Sequence, residues 1–232
     1  MALSGEIPMP SGHNFDLLGY FAGKITLLEE DGRNVTLHQF DDNLRKVNSP
    51  SIINNSKRSY LFGYVPQDSI LTFYYKYFEE GEYIFSAVNY DARLNIASSI
   101  ALQKYSRNLT RAYPVVISKD RDCQLITLDE PPSHNERFIM YRISTNSILW
   151  ENADPSILND LYDEDRRGRV ITNDGTVYML YVDGRHRYRN NYTLLSLNAS
   201  GYTRTTLPLS GISLTDIRLD YNNYQKRILL SG

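Results

Sequence analysis

The sequence predicts an all-β chain assembled from consecutive four-stranded antiparallel units, and three observations carry that prediction. Short strand-like runs alternate with clusters of Gly, Asn, Asp and Pro at intervals of roughly ten residues, the pattern of strands joined by tight turns. The composition, with 19 Tyr and 8 Phe against 4 Met in 232 residues, suits pleated, half-buried surfaces better than long helices. The runs also group into fours, and the groups recur along the chain.

The first group comprises residues 16–22, 24–30, 34–40 and 44–47, with Gly23 and Asp31-Gly32 as punctuation. The second comprises 59–65, 70–78, 83–90 and 94–101, separated by Pro66-Gln67-Asp68 and Glu79-Glu80-Gly81. The third strands of these two groups end in Phe40-Asp41-Asp42-Asn43-Leu44 and Tyr90-Asp91-Ala92-Arg93-Leu94, an aromatic-Asp-x-x-Leu pattern repeated 50 positions apart. A third group covers 113–118, 123–128, 137–143 and 147–151, and a fourth 169–172, 176–182, 192–197 and 202–207. Two more strands are expected at 212–219 and 225–230. One short helix is expected within a loop from Asp154 to Asp165, where Ile157, Leu158, Leu161 and Tyr162 follow an Asp-Pro start at helical spacing. The domain reading is an extension over 1–14 and a repeat domain over 15–232, with units near 15–53, 59–102, 113–152 and 168–209 and a partial one at 212–232.

A four-strand unit recurring every 50 to 54 residues, its third strand running into an Asp- or Asn-rich turn, resembles the β-propeller repeat proteins. The segment Phe138-Ile139-Met140-Tyr141-Arg142-Ile143-Ser144-Thr145-Asn146-Ser147-Ile148-Leu149-Trp150 is similar to one blade of the quinoprotein-type propellers, in which a strand, a small-residue turn and a Trp-ended strand follow one another. The likeness to WD40 proteins is architectural only, because Trp150 is followed by Glu151 and Gly12-His13 stands alone. The resemblance implies about four blades plus two strands, either closing a small ring or forming part of a longer propeller. A β-sandwich is the alternative fold.

Net charge is −2 with a pI near 6.1, which gives no overall field for nucleic acid or an anionic membrane. No apolar run approaches the roughly 20 residues of a spanning helix, and the start shows no signal-peptide pattern. The compartment stays unassigned. The single cysteine, Cys123, cannot close an internal disulfide and reads as inert packing. Five Asn-x-Ser/Thr sequons, at Asn34, Asn54, Asn108, Asn191 and Asn198, read as polar turns.

Chemistry-bearing patterns are few. No Gly-x-Ser-x-Gly turn or phosphate-cradling loop occurs. The histidines His13, His38, His134 and His186 lack metal-ligand spacing, and Asp160, Asp163, Glu164 and Asp165 read as solvated charge, so neither metal nor cofactor is expected. Asp41, Asp91 and Asp122 could form carboxylate pairs, but recurrence at unit ends favours turn formation. The aromatic run Phe73-Tyr74-Tyr75-Lys76-Tyr77-Phe78 reads as a strand buried on both faces rather than a glycan platform. The one candidate binding patch is Arg185, His186, Arg187, Tyr188 and Arg189, with Arg166, Arg167 and Arg169 as neighbours, suited to an anionic partner. The function these features imply is a non-enzymatic scaffold for protein–protein interaction. Carbohydrate binding or processing, and a viral or phage structural β protein, are the alternatives.

Overall fold

A computed structural model describes residues 11–31, 34–53, 60–105, 111–130, 135–152, 166–183, 191–209 and 218–231. Every element among them is a β-strand, and the sheets are hydrogen-bonded antiparallel meanders of strands consecutive in the chain, with one short additional strand in the first. The helix expected at Asp154 to Asp165 lies outside the described residues. The chain divides into two compact units, Met1–Asn108 and Leu109–Gly232.

The first unit holds two blades. The first is formed by β1 (Asn14–Phe21), β2 (Lys24–Asp31), β3 (Asn34–Phe40) and β4 (Lys46–Asn48), and a further strand, β5 (Ser51–Ile53), also pairs with β3. This fifth strand was not expected, and its origin is local. Pro50 has no N–H to give a ladder, so the strand beside β3 stops after Asn48, opposite Gln39, and resumes at Ser51, opposite Thr36. The Leu37 N–H donates to the Pro50 carbonyl at 3.0 Å and holds the break against the sheet. The second blade is β6 (Tyr60–Pro66), β7 (Leu71–Glu79), β8 (Glu82–Tyr90) and β9 (Ile96–Tyr105).

Between these blades lies a core of alternate residues, with Leu28, Val35 and Leu37 from one sheet against Leu71, Phe73, Tyr75 and Tyr90 from the other. Burying each large side chain contributes about 1.5–3 kcal/mol. The opposite face of β7 is also covered. Tyr74 stacks on Phe85, and the Lys76 ammonium lies over the Tyr60, Phe62 and Tyr83 rings. Phe73 to Lys76 are all buried, so this part of the aromatic run packs on both faces, while Tyr77 and Phe78 are half-buried.

The second unit repeats the plan with β10 (Arg111–Ile117), β11 (Cys123–Glu130), β12 (Asn135–Arg142) and β13 (Ser147–Asn152), then β14 (Arg166–Ile171), β15 (Val177–Asp183), β16 (Asn191–Asn198) and β17 (Gly201–Leu207). A hairpin follows, β18 (Arg218–Asn222) and β19 (Arg227–Ser231), and the part of the expected strand 212–219 that precedes Arg218 lies outside the described residues. Leu125, Phe138, Met140 and Trp150 pack against Ile171, Val177, Met179, Leu195 and Leu197. Leu180 and Tyr192, with Leu207, Leu219 and Leu230 beside them, join the last blade to the hairpin.

Within each unit the first strand of one blade approaches the first strand of the next: β1 nears β6, β10 nears β14, and β14 nears β18. Gly168 is what lets β14 come close, since a Cβ there would sit 3.0 Å from the Leu219 Cβ. The fourth strands β4 and β17 are mostly solvent-exposed, and β9 exposes half of its residues. First strand inward, fourth strand outward, is propeller-like blade architecture. Successive blades are also tied by their β1–β2-type turns. The Ala22 N–H donates to the Asp68 carbonyl at 3.1 Å, and 50 positions separate the Asn173 N–H from the Asn223 Oδ1 that accepts it at 3.0 Å.

The turns from third to fourth strand are near copies. Asp41 Oδ1 accepts the N–H groups of Asn43 and Arg45 at 2.9 and 2.8 Å, and Asp91 Oδ1 accepts those of Arg93 and Asn95 at 2.9 Å each. Leu44 and Leu94 follow at φ of 59° and 64°. The repeated aspartates are turn formers, their acceptor oxygens turned onto their own backbone.

Candidate functional site

The most organised polar constellation among the described residues lies on the face of the first blade turned away from its core. In β2, side chains alternate, so Thr26 and Leu28 are buried and Leu27 and Glu29 face the other way. In β3 the same alternation places His38 beside Leu27, its register partner, with Glu29 one diagonal step away. His13 precedes β1, and Ser49 sits in the Asn48-Ser49-Pro50 break between β4 and β5.

Glu29 bridges the two histidines. Its Oε1 lies 2.7 Å from His13 Nδ1 and its Oε2 lies 2.5 Å from His38 Nε2. The other nitrogen of His38, Nδ1, lies 2.6 Å from Ser49 Oγ. His38 is buried, with 7% of its side chain exposed, whereas Ser49 is exposed. The His38 and His13 hydrogen bonds hold the Glu29 carboxyl below its ordinary range, against a smaller upward push from burial. An ionised carboxylate only accepts hydrogen bonds, so both imidazoles present N–H groups to it. In the tautomer that carries its proton on Nε2, His38 Nδ1 is the lone pair that accepts the Ser49 hydroxyl. The result is an ordered relay of hydroxyl, imidazole and carboxylate.

A second feature of the same unit is a cleft of about 240 Å³ lined by Asn14, Phe15, Asp16, Glu30, Phe62 and Tyr64, among others. The Tyr64 hydroxyl donates to Asp16 Oδ2. Burial, and after it that hydrogen bond, raises the Tyr64 phenol well above its ordinary value.

Among the sequence-predicted groups, Arg185, His186, Arg187, Tyr188 and Arg189 lie outside the described residues, as do His134 and the acidic cluster 160–165. Asp122 is occupied: its Oδ1 accepts the Ser144 N–H and its Oδ2 the Ser144 hydroxyl, both at 2.8 Å, and the Arg142 Nε lies 3.4 Å away. Cys123 is buried with Arg142 Nη2 at 3.3 Å, and burial raises its thiol. No group of three or more His, Cys, Asp or Glu among the described residues is arranged to hold a metal ion. No spacing in the sequence joins the histidines, yet Glu29 gathers His13 and His38. The signal was the hairpin register about Asp31 and Asn34, which sets Glu29 diagonal to His38. No helix among the described residues is long and apolar enough to cross a membrane.

Comparison with known protein families finds no match, and no curated protein matches the chain. Among solved structures, the chain resembles the Dos1 propeller at 9% identity and a TM-score of 0.42, covering 89% of this chain and 62% of that one. It resembles a luciferin-regenerating enzyme at 13% identity and a TM-score of 0.36, covering 86% and 62%. A third similar structure is the WD40 domain of SCAP from fission yeast, at 9% identity and a TM-score of 0.35, covering 85% and 43%. The chain thus spans less than two thirds of these three structures.

Proposed function

We propose that the chain is a propeller-type scaffold that recognises protein partners, with residues 15–232 as one repeat domain after a short extension over 1–14. The observation that carries this reading is a set of large apolar side chains exposed at the turn-bearing end of the first unit. Tyr20 at the end of β1 is 58% exposed, Leu44 in the β3–β4 turn 44%, and Ile96 after the β8–β9 turn 65%. These residues contribute nothing to the cores, and apolar groups left at fixed turns suit a partner surface better than a small solute. The rigid Asp-pinned turns lower the entropy cost of docking there. Arg185, His186, Arg187, Tyr188 and Arg189 in the second unit are proposed separately as residues that engage an anionic stretch of a partner. Crosslinking with mass spectrometry on wild type and on a Leu44→Asn, Ile96→Thr double variant tests it. Reproducible partners lost in the variant support it; no reproducible partner for the wild type sinks it.

Carbohydrate recognition is the second reading, supported by the cleft with Asp16 and Glu30 among the walls of Phe15, Phe62 and Tyr64. Aromatic faces with nearby carboxylates match the apolar and hydroxyl faces of a sugar. A glycan array with Phe62→Ala as the comparison decides it, and silence across the array removes it.

A further inference from the structure

We propose that Ser49 is an acyl-transfer nucleophile, with His38 as its general base and Glu29 as the positioning residue, acting on small carboxylic esters. The inference is independent of partner recognition, because it rests on the outward face of the first blade.

Nucleophile, base and carboxylate stand in sequence, with 2.6 Å from Ser49 Oγ to His38 Nδ1 and 2.5 Å from His38 Nε2 to Glu29 Oε2. The exposure pattern fits the chemistry: the base is buried beside its carboxylate and the hydroxyl it serves is open to solvent. Glu29 fixes the tautomer that leaves Nδ1 free for the serine proton, and His13, at 2.7 Å on the second oxygen, fixes the carboxylate in turn.

The backbone around Ser49 is pinned on both sides. Its N–H donates to Asn48 Oδ1 at 2.9 Å, and the next carbonyl, of Pro50, accepts the Leu37 N–H at 3.0 Å. The hydroxyl is therefore presented from a fixed point rather than a loose loop.

Substrate class follows from the row of side chains beside the relay. Leu17 is paired directly with Leu27, and Leu27 directly with His38, so an apolar strip two leucines wide runs up to the imidazole. Leu17 is 64% exposed, which leaves that strip open for a short acyl chain. In the reaction, Ser49 Oγ forms a bond to the ester carbonyl carbon as its proton moves to His38 Nδ1. The tetrahedral species then expels the alcohol, which takes that proton, and leaves an acyl ester on Ser49. Water then attacks the acyl carbon as its proton moves to His38 Nδ1, and the second tetrahedral species collapses with that proton passing to Ser49 Oγ, which releases the carboxylic acid and restores free Ser49 and unprotonated Nδ1.

The test is labelling with a fluorophosphonate probe together with hydrolysis of p-nitrophenyl butyrate. Wild type should take one probe per chain and release p-nitrophenolate above the buffer rate. Ser49→Ala should lose both, and Ser51→Ala, a neighbouring exposed serine, should keep both. Glu29→Gln should lower kcat by about 100-fold or more with KM unchanged, since the amide no longer enforces the tautomer. Circular dichroism and melting on each variant establish that it folds. An unlabelled wild type overturns the proposal, as does probe retained by Ser49→Ala.

Discussion

Leu44 and Leu94 hold the same left-handed backbone position in equivalent turns, yet they face opposite consequences on replacement. A non-glycine residue there costs about 1–2 kcal/mol. Leu44 is 44% exposed, so Leu44→Gly relieves that strain with little packing lost, and we expect stability unchanged or raised by up to about 1 kcal/mol after the entropy cost of glycine. Leu94 is buried in the core of the first unit, so Leu94→Gly should destabilise by about 2 kcal/mol or more. Denaturant melts of the two variants check the contrast, and a loss of equal size in both would refute it. Gly175 shows the opposite constraint. Its φ is +90°, and a Cβ would lie 2.9 Å from Leu149 Cδ1 and 3.3 Å from Met140 Cγ. Its carbonyl also accepts the indole N–H of Trp150 at 2.9 Å. Gly175→Ala should therefore cost about 2–4 kcal/mol from strain and overpacking combined. Trp150 is the only tryptophan, so its fluorescence during denaturation reads this site directly.

At the level of the element, the turn aspartates link the fold to pH. Hydrogen bonds from the Asn95 and Arg93 backbone N–H groups hold the exposed Asp91 carboxyl below its ordinary range, the Asn95 one most strongly, and the Thr172 hydroxyl does the same for Asp174. A carboxyl with a lowered folded-state pKa contributes stability that is present above its unfolded value, about 4, and lost as pH falls through the folded one. Melting temperature should therefore fall below about pH 4, and less steeply in Asp91→Asn, whose side-chain carbonyl still accepts both N–H groups without titrating. Identical acid slopes would show that the turn is not a linked group. These turns were also the legible part of the sequence, because an Asp that bonds its own backbone leaves an aromatic-Asp-x-x-Leu trace wherever the turn recurs. Less legible was the bulge in the first strands. Register shifts fall at Gly19 in β1, Gly63 in β6 and Gly168 in β14, a repeat hidden because each glycine interrupts a strand that alternation alone reads as regular. The relay was hidden for another reason. Ser49, His38 and Glu29 have no informative spacing, and they meet only through the β2–β3 register and the break at Pro50, both properties of pairing rather than of sequence order.

For the whole molecule, the repeated meander implies a repeated gradient of local stability. The middle strands of each blade, β2 and β3, β7 and β8, β11 and β12, β15 and β16, are hydrogen-bonded on both sides. They also supply most of the two cores. The fourth strands are paired on one side only, β4 and β17 expose most of their side chains, and β9 exposes half. Opening an exposed edge strand sacrifices one ladder and little buried area, whereas opening a middle strand exposes the packed faces on either side. Amide hydrogen exchange should thus show protection rising and falling once per blade, with maxima on the second and third strands and minima on the fourth. The third blade should have the shallowest minimum, because Trp150 in β13 is buried and anchored to Gly175. The β18–β19 hairpin has a single ladder and side chains that alternate between exposed and half-buried, so it should exchange faster than any middle strand. Mass-resolved exchange over minutes to hours reads all of these segments at once. Uniform protection from β1 to β19 would mean that the blades open only together, and the strand-by-strand gradient would be wrong.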